Sequence, residues 1–328
     1  MKETNLAIVG ASGVVGNTFL KILENGNIKI KNLYLFASKR SAGKKVLFNG
    51  NDYFIEELTD SSFDRDIDIA LFSAGGDISK KFAPIAVENG CIVIDNSSAW
   101  RMDKDVPLVV PEVNPEDILL NKGIIANPNC STIQAVVALK PLHDKYKIKR
   151  IVYSTYQAVS GAGSQAMADL LDGVKGEPPK KFAHPIAGNC IPQIDVFESN
   201  GYTKEEMKMI NETRKILHNP DMPITATAVR VPVLNAHSES INVEFENGFE
   251  LSDVIETLKN AKGITVQHDP EKNFYPMPIF ASDKDDVFVG RIRRDESVKN
   301  GINLWVVADN LKKGAALNAI QIAEHLTK

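Results

Sequence analysis

Leu6, Ala7, Ile8 and Val9 form an apolar run that breaks directly into a turn carrying Gly10, Gly13 and Gly16, after which Val14, Val15, Phe19, Ile22 and Leu23 recur at helical spacing. A short continuous apolar run reads as a strand buried on both faces. The segment is therefore strand, glycine-rich turn, helix. Glycines let the backbone turn tightly and approach a pyrophosphate, while the N–H groups and dipole at a helix start favour negative charge. The spacing is GxxGxxG rather than GxGxxG, so the turn alone also fits an ordinary βα connection. The strand before it and the helix after it favour the phosphate cradle.

Strand and helix signals keep alternating through the first half. Leu33 to Ala37, Ile67 to Ser73, Cys91 to Asp95 and Ile124 to Ala126 read as strands, with a helix over Ile78 to Asn89. This alternation predicts a parallel, doubly wound sheet of Rossmann type, an α/β architecture. At the end of the second strand no Asp or Glu is available for ribose hydroxyls. Ser38, Arg40 and Ser41 stand there instead, and a guanidinium with hydroxyls suits a 2′-phosphate. A solvated basic loop has the same composition, but the missing acid and the present Arg both point to NADP.

With 328 residues, the chain is long enough for about two domains at roughly 150 residues each. From Asn129 onward the pattern turns to strands at Arg150 to Tyr156, Thr225 to Leu234, Ser240 to Phe245, Val287 to Ile292 and Asn303 to Ala308, with a helix over Lys204 to His218. That reads as an α+β domain with a mixed or antiparallel sheet. A formal net charge of -4 argues against a general nucleic-acid binder, which shows a basic face, and leaves room for a local basic pocket for a small anion. The three cysteines form no CxxC pair, so neither a disulfide framework nor a metal site is expected. No apolar run reaches the ~18 residues of a membrane span and no signal pattern precedes the first strand, so a soluble, cytoplasmic protein is expected.

Cys130 lies between the strand ending at Ala126 and a helix predicted over Ser131 to His143, whose apolar positions are Ile133, Val136, Val137 and Leu139. A cysteine at a helix N-terminus has its thiolate stabilised by the dipole, and nearby N–H groups can receive an oxyanion. Most free cysteines are small buried hydrophobes. Cys91, which opens an apolar strand, fits that description, and Cys190 carries no evident role. Cys130 differs in sitting among polar turn residues at a helix start.

GASGVVG, LFSAGG, IDNSSAWR, PLVVPEVN, NPNCST, TYQAVSGAG, PQIDVF, NETRKIL, RVPVLNAHSES, FVGRIRRD and DNLKKGAALNA follow one another in an order that resembles the aspartate-β-semialdehyde dehydrogenase family along almost the whole chain. The stretch from about 165 to 189 matches least and reads as a variable surface segment. The resemblance implies that Cys130 is the nucleophile, Gln157 the residue positioning substrate beside it, and His237 the general acid/base. It implies Arg230 for the substrate α-carboxylate, Glu212 for the ammonium, and Arg101 with Lys215 for phosphate. It adds Ser73, Gly75, Ser160, Gly161 and Asn310 to the cofactor contacts, beside Gly10, Ser12, Gly13, Val14, Val15 and Gly16 of the first turn. The last helix, Gly314 to Leu326, is expected to return to the first domain. That gives an NADP-binding domain of 1–128 with 310–328 and a catalytic and dimerisation domain of 129–309, in a homodimer.

The implied reaction is the NADPH-dependent conversion of aspartyl phosphate to aspartate semialdehyde through a Cys130 thioester. It is reversible and feeds lysine, methionine, threonine and diaminopimelate biosynthesis. From the residues alone, Arg230 in an apolar strand pattern fits an interface ion pair as well as a substrate clamp. Glu212 and Lys215, three apart on a helix, fit an exposed ion pair. Nothing but the resemblance selects His237 among six histidines. Arg101 follows a sheet strand, where ligands of such sheets bind. The rival readings are N-acetyl-γ-glutamyl-phosphate reductase or glyceraldehyde-3-phosphate dehydrogenase, which share the thioester logic, and a catalytically silent dinucleotide-binding protein.

Overall fold

The computed structural model describes residues 3–328; Met1 and Lys2, which open the expected first domain, lie outside the described residues. The chain forms two compact units, Met1–Pro128 with Ala315–Lys328, and Asn129–Gly314.

In the first unit the elements run β1 (Thr4–Val9), α1 (Val14–Leu23), β2 (Ile30–Ala37), β3 (Lys45–Phe48), β4 (Asn51–Phe54), β5 (Glu56–Glu57), β6 (Ile69–Phe72), α2 (Gly76–Glu88), β7 (Ile92–Asp95) and β8 (Ile124–Ala126). Six of the strands form one sheet in the order β5-β2-β1-β6-β7-β8, all parallel. The winding reverses between β1 and β6, the switch point beyond which such sheets bind ligands. Alternate residues of β1 serve opposite faces. Leu6 and Ile8 pack with Phe19 of α1 and with Ala319, Ile320 and Ala323 of the C-terminal helix, Leu317–Leu326. Ala7 and Val9 pack with Phe82, Ala83 and Ala86 of α2. A sheet covered on both faces needs strands apolar throughout, and all six residues of β1 are buried.

Beside the sheet lies a hairpin that the sequence pattern did not announce, β3 paired with β4 across Asn49 and Gly50. Both turn residues have positive φ, 47° and 75°, as a tight type I′ hairpin turn requires.

The second unit contains α3 (Cys130–Tyr146), β9 (Ile148–Gln157), α4 (Ser164–Gly173), α5 (Lys204–Ile216), β10 (Ile224–Arg230), β11 (His237–Phe245), α6 (Leu251–Lys259), β12 (Ile264–Val266), α7 (Pro278–Ala281), β13 (Val287–Asp295) and β14 (Gly301–Ala308). Its sheet runs β10-β9-β11-β14-β13-β12, antiparallel through the centre and parallel at both edges. The fold is thus a Rossmann-like unit plus a mixed-sheet unit.

Most boundaries shift by a few residues from expectation, and the returning C-terminal segment of the first unit begins at Ala315 rather than 310. The strand expected to reach Leu234 stops at Arg230, because Pro232 offers no N–H to a ladder. The helix expected to reach His218 ends at Ile216, and His218 takes a positive φ of 52°. The last helix starts at Leu317 after a π-helical turn over Lys312–Ala316. The segment expected to be only surface contributes α4, whose Ala166 and Leu170 are buried with Val159, Ile186 and Ile191. Among the described residues, no helix is long and apolar enough to cross a membrane.

Candidate active site

In the first unit, the β1–α1 turn is built by exclusion of side chains. Gly10 has φ +92°, and a Cβ there would lie 2.3 Å from the Ser73 carbonyl oxygen; a Cβ on Gly16 would lie 2.3 Å from the Gly10 carbonyl oxygen. The N–H groups of Gly10 and Ala11 both donate to the Phe36 carbonyl. Gly13 is the N-cap of α1 and no side chain caps that helix, so the first N–H groups are left to other acceptors. Ser12 and Gly13 are exposed, Val14 and Val15 half-buried. A backbone cradle of this kind fits a pyrophosphate. Past β2, Ser38 and Arg40 are exposed, whereas Ser41 is buried and donates its N–H to the Ser38 carbonyl. Ser73 is half-buried, and Gly75, with φ +90°, is the N-cap of α2. Beyond β7 and β8, Arg101 is buried and donates to the carbonyls of Asn127 (2.9 Å) and Asn96 (2.7 Å). Asn127 is held in turn by Asn318, whose Nδ2 donates to its Oδ1 at 2.7 Å.

In the second unit, Cys130 is the first residue of α3 and is half-buried. Asn129 caps the helix: its Oδ1 accepts from the N–H groups of Ser131 (3.0 Å) and Thr132 (3.3 Å). Such a cap contributes ~1 kcal/mol. Its own N–H donates to Glu212 Oε2 at 2.6 Å, and its Nδ2 donates to Glu205 Oε1 at 2.8 Å. Gln157, at the end of β9, donates from Nε2 to the same Glu205 Oε1 at 3.1 Å and accepts at Oε1 from Thr155 Oγ1 at 2.9 Å. Lys208 Nζ meets Glu205 Oε2 at 2.9 Å and Asp195 Oδ2 at 3.0 Å. Burial by itself pushes the Glu205 carboxyl up, but Lys208 and the amides of Asn129 and Gln157 outweigh it and hold the group at about 2. Glu205 is therefore an anion throughout the neutral range.

Arg230 closes β10 and His237 opens β11, and one residue holds both. The Ala158 carbonyl accepts from Arg230 Nη1 at 2.7 Å, and the Ala158 N–H donates to His237 Nδ1 at 3.0 Å. His237 is fully buried; burial, reinforced by the Arg230 charge, lowers its pKa to about 3, against a smaller opposing pull from Glu205. Burial also lowers Arg230, while Glu205 and Cys130 counter it. Arg230 Nε and His237 Nε2 are both buried without a hydrogen-bond partner. A Cβ on Gly161 would come within 3.1 Å of His237 Nε2 and 3.3 Å of Arg230 Nη1, so glycine keeps that ground clear. A Cβ on Gly314 would come within 3.0 Å of the Cys130 Cβ. Ser160 and Asn310 are paired: Asn310 Nδ2 donates to Ser160 Oγ at 3.0 Å, and Asn310 Oδ1 accepts from the Ala236 N–H at 2.9 Å. Ala236, at φ +69°, is thereby fixed just before His237.

The structure thus brings Cys130, Gln157, Glu212, Arg230 and His237 into one unit with residues the motif reading passed over: Asn129, Ala158, Glu205, Lys208 and Gly314. Glu212 is not the exposed helix ion-pair partner that its spacing allowed; it is 1% exposed and anchors the α3 cap. Glu205 lies seven residues, two helical turns, before it, on the same face of α5. The Glu205–Lys208 spacing is the same as that of Glu212 and Lys215, and this repeat was the one signal in the sequence that named a second pair. Lys215 is half-buried on α5. Cys91 is buried, and its thiol is pushed up to about 12, chiefly by burial; Cys190 is exposed.

Residues 5–120 match the family model described as semialdehyde dehydrogenase, NAD binding domain, and residues 139–313 match semialdehyde dehydrogenase, dimerisation domain. The chain is 57% identical over 332 residues to the aspartate-semialdehyde dehydrogenase of Aquifex aeolicus, covering 98% of each chain. A crystal structure of aspartate semialdehyde dehydrogenase II from Vibrio cholerae complexed with ASA is 47% identical, with a TM-score of 0.96 over 100% of this chain and 99% of that one. An aspartate semialdehyde dehydrogenase structure with NADP from Candida albicans is 28% identical, with a TM-score of 0.79 over 99% of both chains.

Proposed function

This chain belongs to the aspartate-semialdehyde dehydrogenase family, and from that premise we propose that it converts aspartyl phosphate to aspartate semialdehyde, reversibly, through a thioester on Cys130. The observation that carries the reading is the convergence of Asn129, Gln157 and Glu205 beside the Cys130 helix start, with two unpaired buried donors, Arg230 Nε and His237 Nε2, in the same unit. An unpaired buried donor costs ~1–3 kcal/mol, which a bound anion or carbonyl oxygen would relieve.

Arg230 suits the substrate α-carboxylate, since a guanidinium presents paired N–H groups to a carboxylate. For the ammonium we move the assignment from Glu212 to Glu205: Glu212 serves the α3 cap, whereas Glu205 is a buried anion in contact with Gln157. Lys208, in contact with Glu205, takes the phosphate role that the resemblance gave to Lys215. Gln157, held by Thr155 and Glu205, orients the acyl group over sulfur. In the biosynthetic direction the Cys130 thiolate adds to the acyl carbon, the carbon–oxygen bond to phosphate breaks, and the thioester carbon is then reduced to the aldehyde as sulfur leaves. The reduced nicotinamide nucleotide supplies the hydride when bound.

We assign NADP as the preferred cofactor because Ser38 and Arg40 are exposed where an acid would favour NAD, and the Candida albicans relative supports this. The same family membership supports a cytoplasmic homodimer built on the second unit.

The test is NADP reduction with L-aspartate-β-semialdehyde, with and without inorganic phosphate, for wild type and Cys130→Ala. Phosphate-dependent turnover that the substitution abolishes is the expected result. A folded, NADP-binding wild type that gives no turnover refutes the substrate.

A further inference from the structure

We propose that Asp195 is a positioning residue that serves Lys208 as a displaceable counter-ion: its carboxylate holds the ammonium before phosphate arrives, yields it to the phosphate group, and reclaims it as phosphate leaves. The inference rests on the phosphate role assigned to Lys208 above and adds the residue that sets how firmly phosphate is held.

Lys208 lies between two carboxylates of unequal freedom. Glu205 Oε2 meets its Nζ at 2.9 Å and Asp195 Oδ2 meets it at 3.0 Å. Glu205 is fixed: its side chain is 7% exposed, and its other oxygen accepts from both Asn129 and Gln157. The Asp195 side chain is 35% exposed and can turn into water. Its other oxygen accepts from the N–H of the next residue, Val196, at 2.9 Å. The main chain on both sides is tied down, so the side chain alone has to move. Ile191 exchanges both backbone hydrogen bonds with Arg230, at 2.9 and 2.8 Å, and the Val196 carbonyl accepts from the Lys204 N–H at 2.8 Å. Asp195, between these anchors, has φ +68°, a left-handed conformation that Asp tolerates better than most side chains.

Two carboxylates and one ammonium sum to a charge of −1, which opposes an incoming phosphate. With Asp195 turned away, Lys208 and Glu205 sum to zero, and an ammonium N–H is freed for a phosphate oxygen. Burial works to raise the Asp195 carboxyl, but the Lys208 contact, the Val196 N–H and the Lys204 charge outweigh it and hold the group below the usual carboxylate range, so it is an anion at neutral pH. Lys204, exposed on the first turn of α5, gives the released carboxylate a second cation to face. Burial works against the Lys208 charge; Glu205 opposes it more than Asp195 does, so the ammonium survives the exchange. A part-exposed ion pair is weak because water and salt already solvate its partners. Phosphate therefore displaces Asp195 at little cost, and the returning carboxylate helps to expel phosphate once its bond to the acyl carbon has broken.

The experiment compares wild type, Asp195→Asn, Lys208→Gln and the double variant. It uses initial rates of phosphate-dependent NADP reduction and calorimetric titration of inorganic phosphate into the NADP-bound enzyme. Asn keeps an acceptor for the Val196 N–H and tolerates the positive φ; if that variant does not fold, Asp195→Gly, which also suits this backbone, replaces it. Asp195→Asn should lower both KM and Kd for phosphate roughly two- to fivefold, the range over which a part-exposed ion pair competes, with KM for the semialdehyde unchanged. Lys208→Gln should weaken phosphate binding, and in its background Asp195→Asn should change nothing, since the counter-ion has lost its cation. Phosphate affinity that is unchanged or weakened in Asp195→Asn is what a purely structural residue would give, and it overturns the proposal. Tightening that persists without Lys208, or an unaltered phosphate affinity in Lys208→Gln, overturns it as well. The two readings fail separately: tighter phosphate in a protein that does not turn over the semialdehyde sinks only the reaction, and phosphate-dependent turnover with no tightening sinks only the counter-ion role.

Discussion

At the scale of single residues, burial decides which charges the second unit tolerates. Glu205 and Glu212 share one face of α5, and their separate duties make different predictions. Glu205→Gln removes the anion beside Gln157 and should raise KM for the semialdehyde at least tenfold with the fold intact. Glu212→Gln leaves a weaker acceptor under the Asn129 N–H, so it should lower the urea midpoint first and KM little. Steady-state kinetics with urea titration separates them, and the opposite pattern would return the ammonium to Glu212. The pH dependence has two opposed parts. The unfolded His237 takes up a proton near 6.5 that the buried ring refuses down to about 3, so stability falls with pH through that window, by at most ~1.4 kcal/mol per unit from this group. Glu205, at about 2 against an ordinary 4.5, adds stability that is full above 4.5 and lost as pH falls toward 2. Glu239 has the reverse sign. Both its carboxylate oxygens are buried without partners on β11, and burial raises it well above 4.5. The unfolded state therefore gives up a proton that the folded state keeps, and stability falls as pH rises above 4.5. Glu239→Gln should raise the urea midpoint at neutral pH, with a gain that shrinks on acidification; an equal gain at every pH would show that Glu239 is ionised in the fold. Of these residues, Cys130 was legible from a polar turn before an apolar helix. Glu205 was not, because two Glu–Lys pairs of identical spacing on one helix look alike until the cap on Asn129 separates them.

Elements were legible where periodicity and local chemistry agreed. The central parallel strands of the first unit carry apolar runs, Leu6–Val9 in β1 and Ile69–Phe72 in β6, because both faces are covered, and β8 spans the three residues its pattern marked. Boundaries slipped where a single dihedral or an absent N–H decides, as at Pro232 after β10 and at the π-helical turn before the C-terminal helix. The turn between β3 and β4 carried the Asn-Gly signal of a tight hairpin, but the flanking residues Lys45, Leu47 and Phe54 are exposed and give no clean alternation. The tightest turn makes the firmest prediction: Gly10→Ala combines φ +92° with a Cβ 2.3 Å from the Ser73 carbonyl oxygen. It should abolish nucleotide binding, measured by calorimetry, and lower the melting temperature. A variant that binds NADP normally would mean the β1–α1 turn can shift away from Ser73.

At the scale of the whole molecule, the C-terminal helix belongs to the core of the first unit, burying Ala319, Ile320 and Ala323 with Leu6 and Ile8. A chain ending after Gly314 should lose cooperative unfolding of the nucleotide unit by circular dichroism; unchanged melting would show that the helix only decorates it. On the second unit, Tyr156 is exposed and tilts against Trp305 at a ring distance of 5.4 Å, on the sheet face away from α3. If the homodimer forms on that face, Tyr156→Asp should shift sedimentation to a monomer, and an unchanged dimer would place the contact elsewhere. The sequence by itself determined the doubly wound sheet, the glycine-rich turn between β1 and α1, the mixed-sheet unit and Cys130 at a helix start. Each of these is written in neighbouring residues, as period, glycine spacing or capping chemistry. Only the tertiary structure decided that Ala158 would lock the His237 ring, that Glu205 would meet Gln157, and that Glu239 would be buried without a partner. Those depend on residues tens of positions apart meeting where water is excluded, and pairing and desolvation over such separations leave no trace in local spacing.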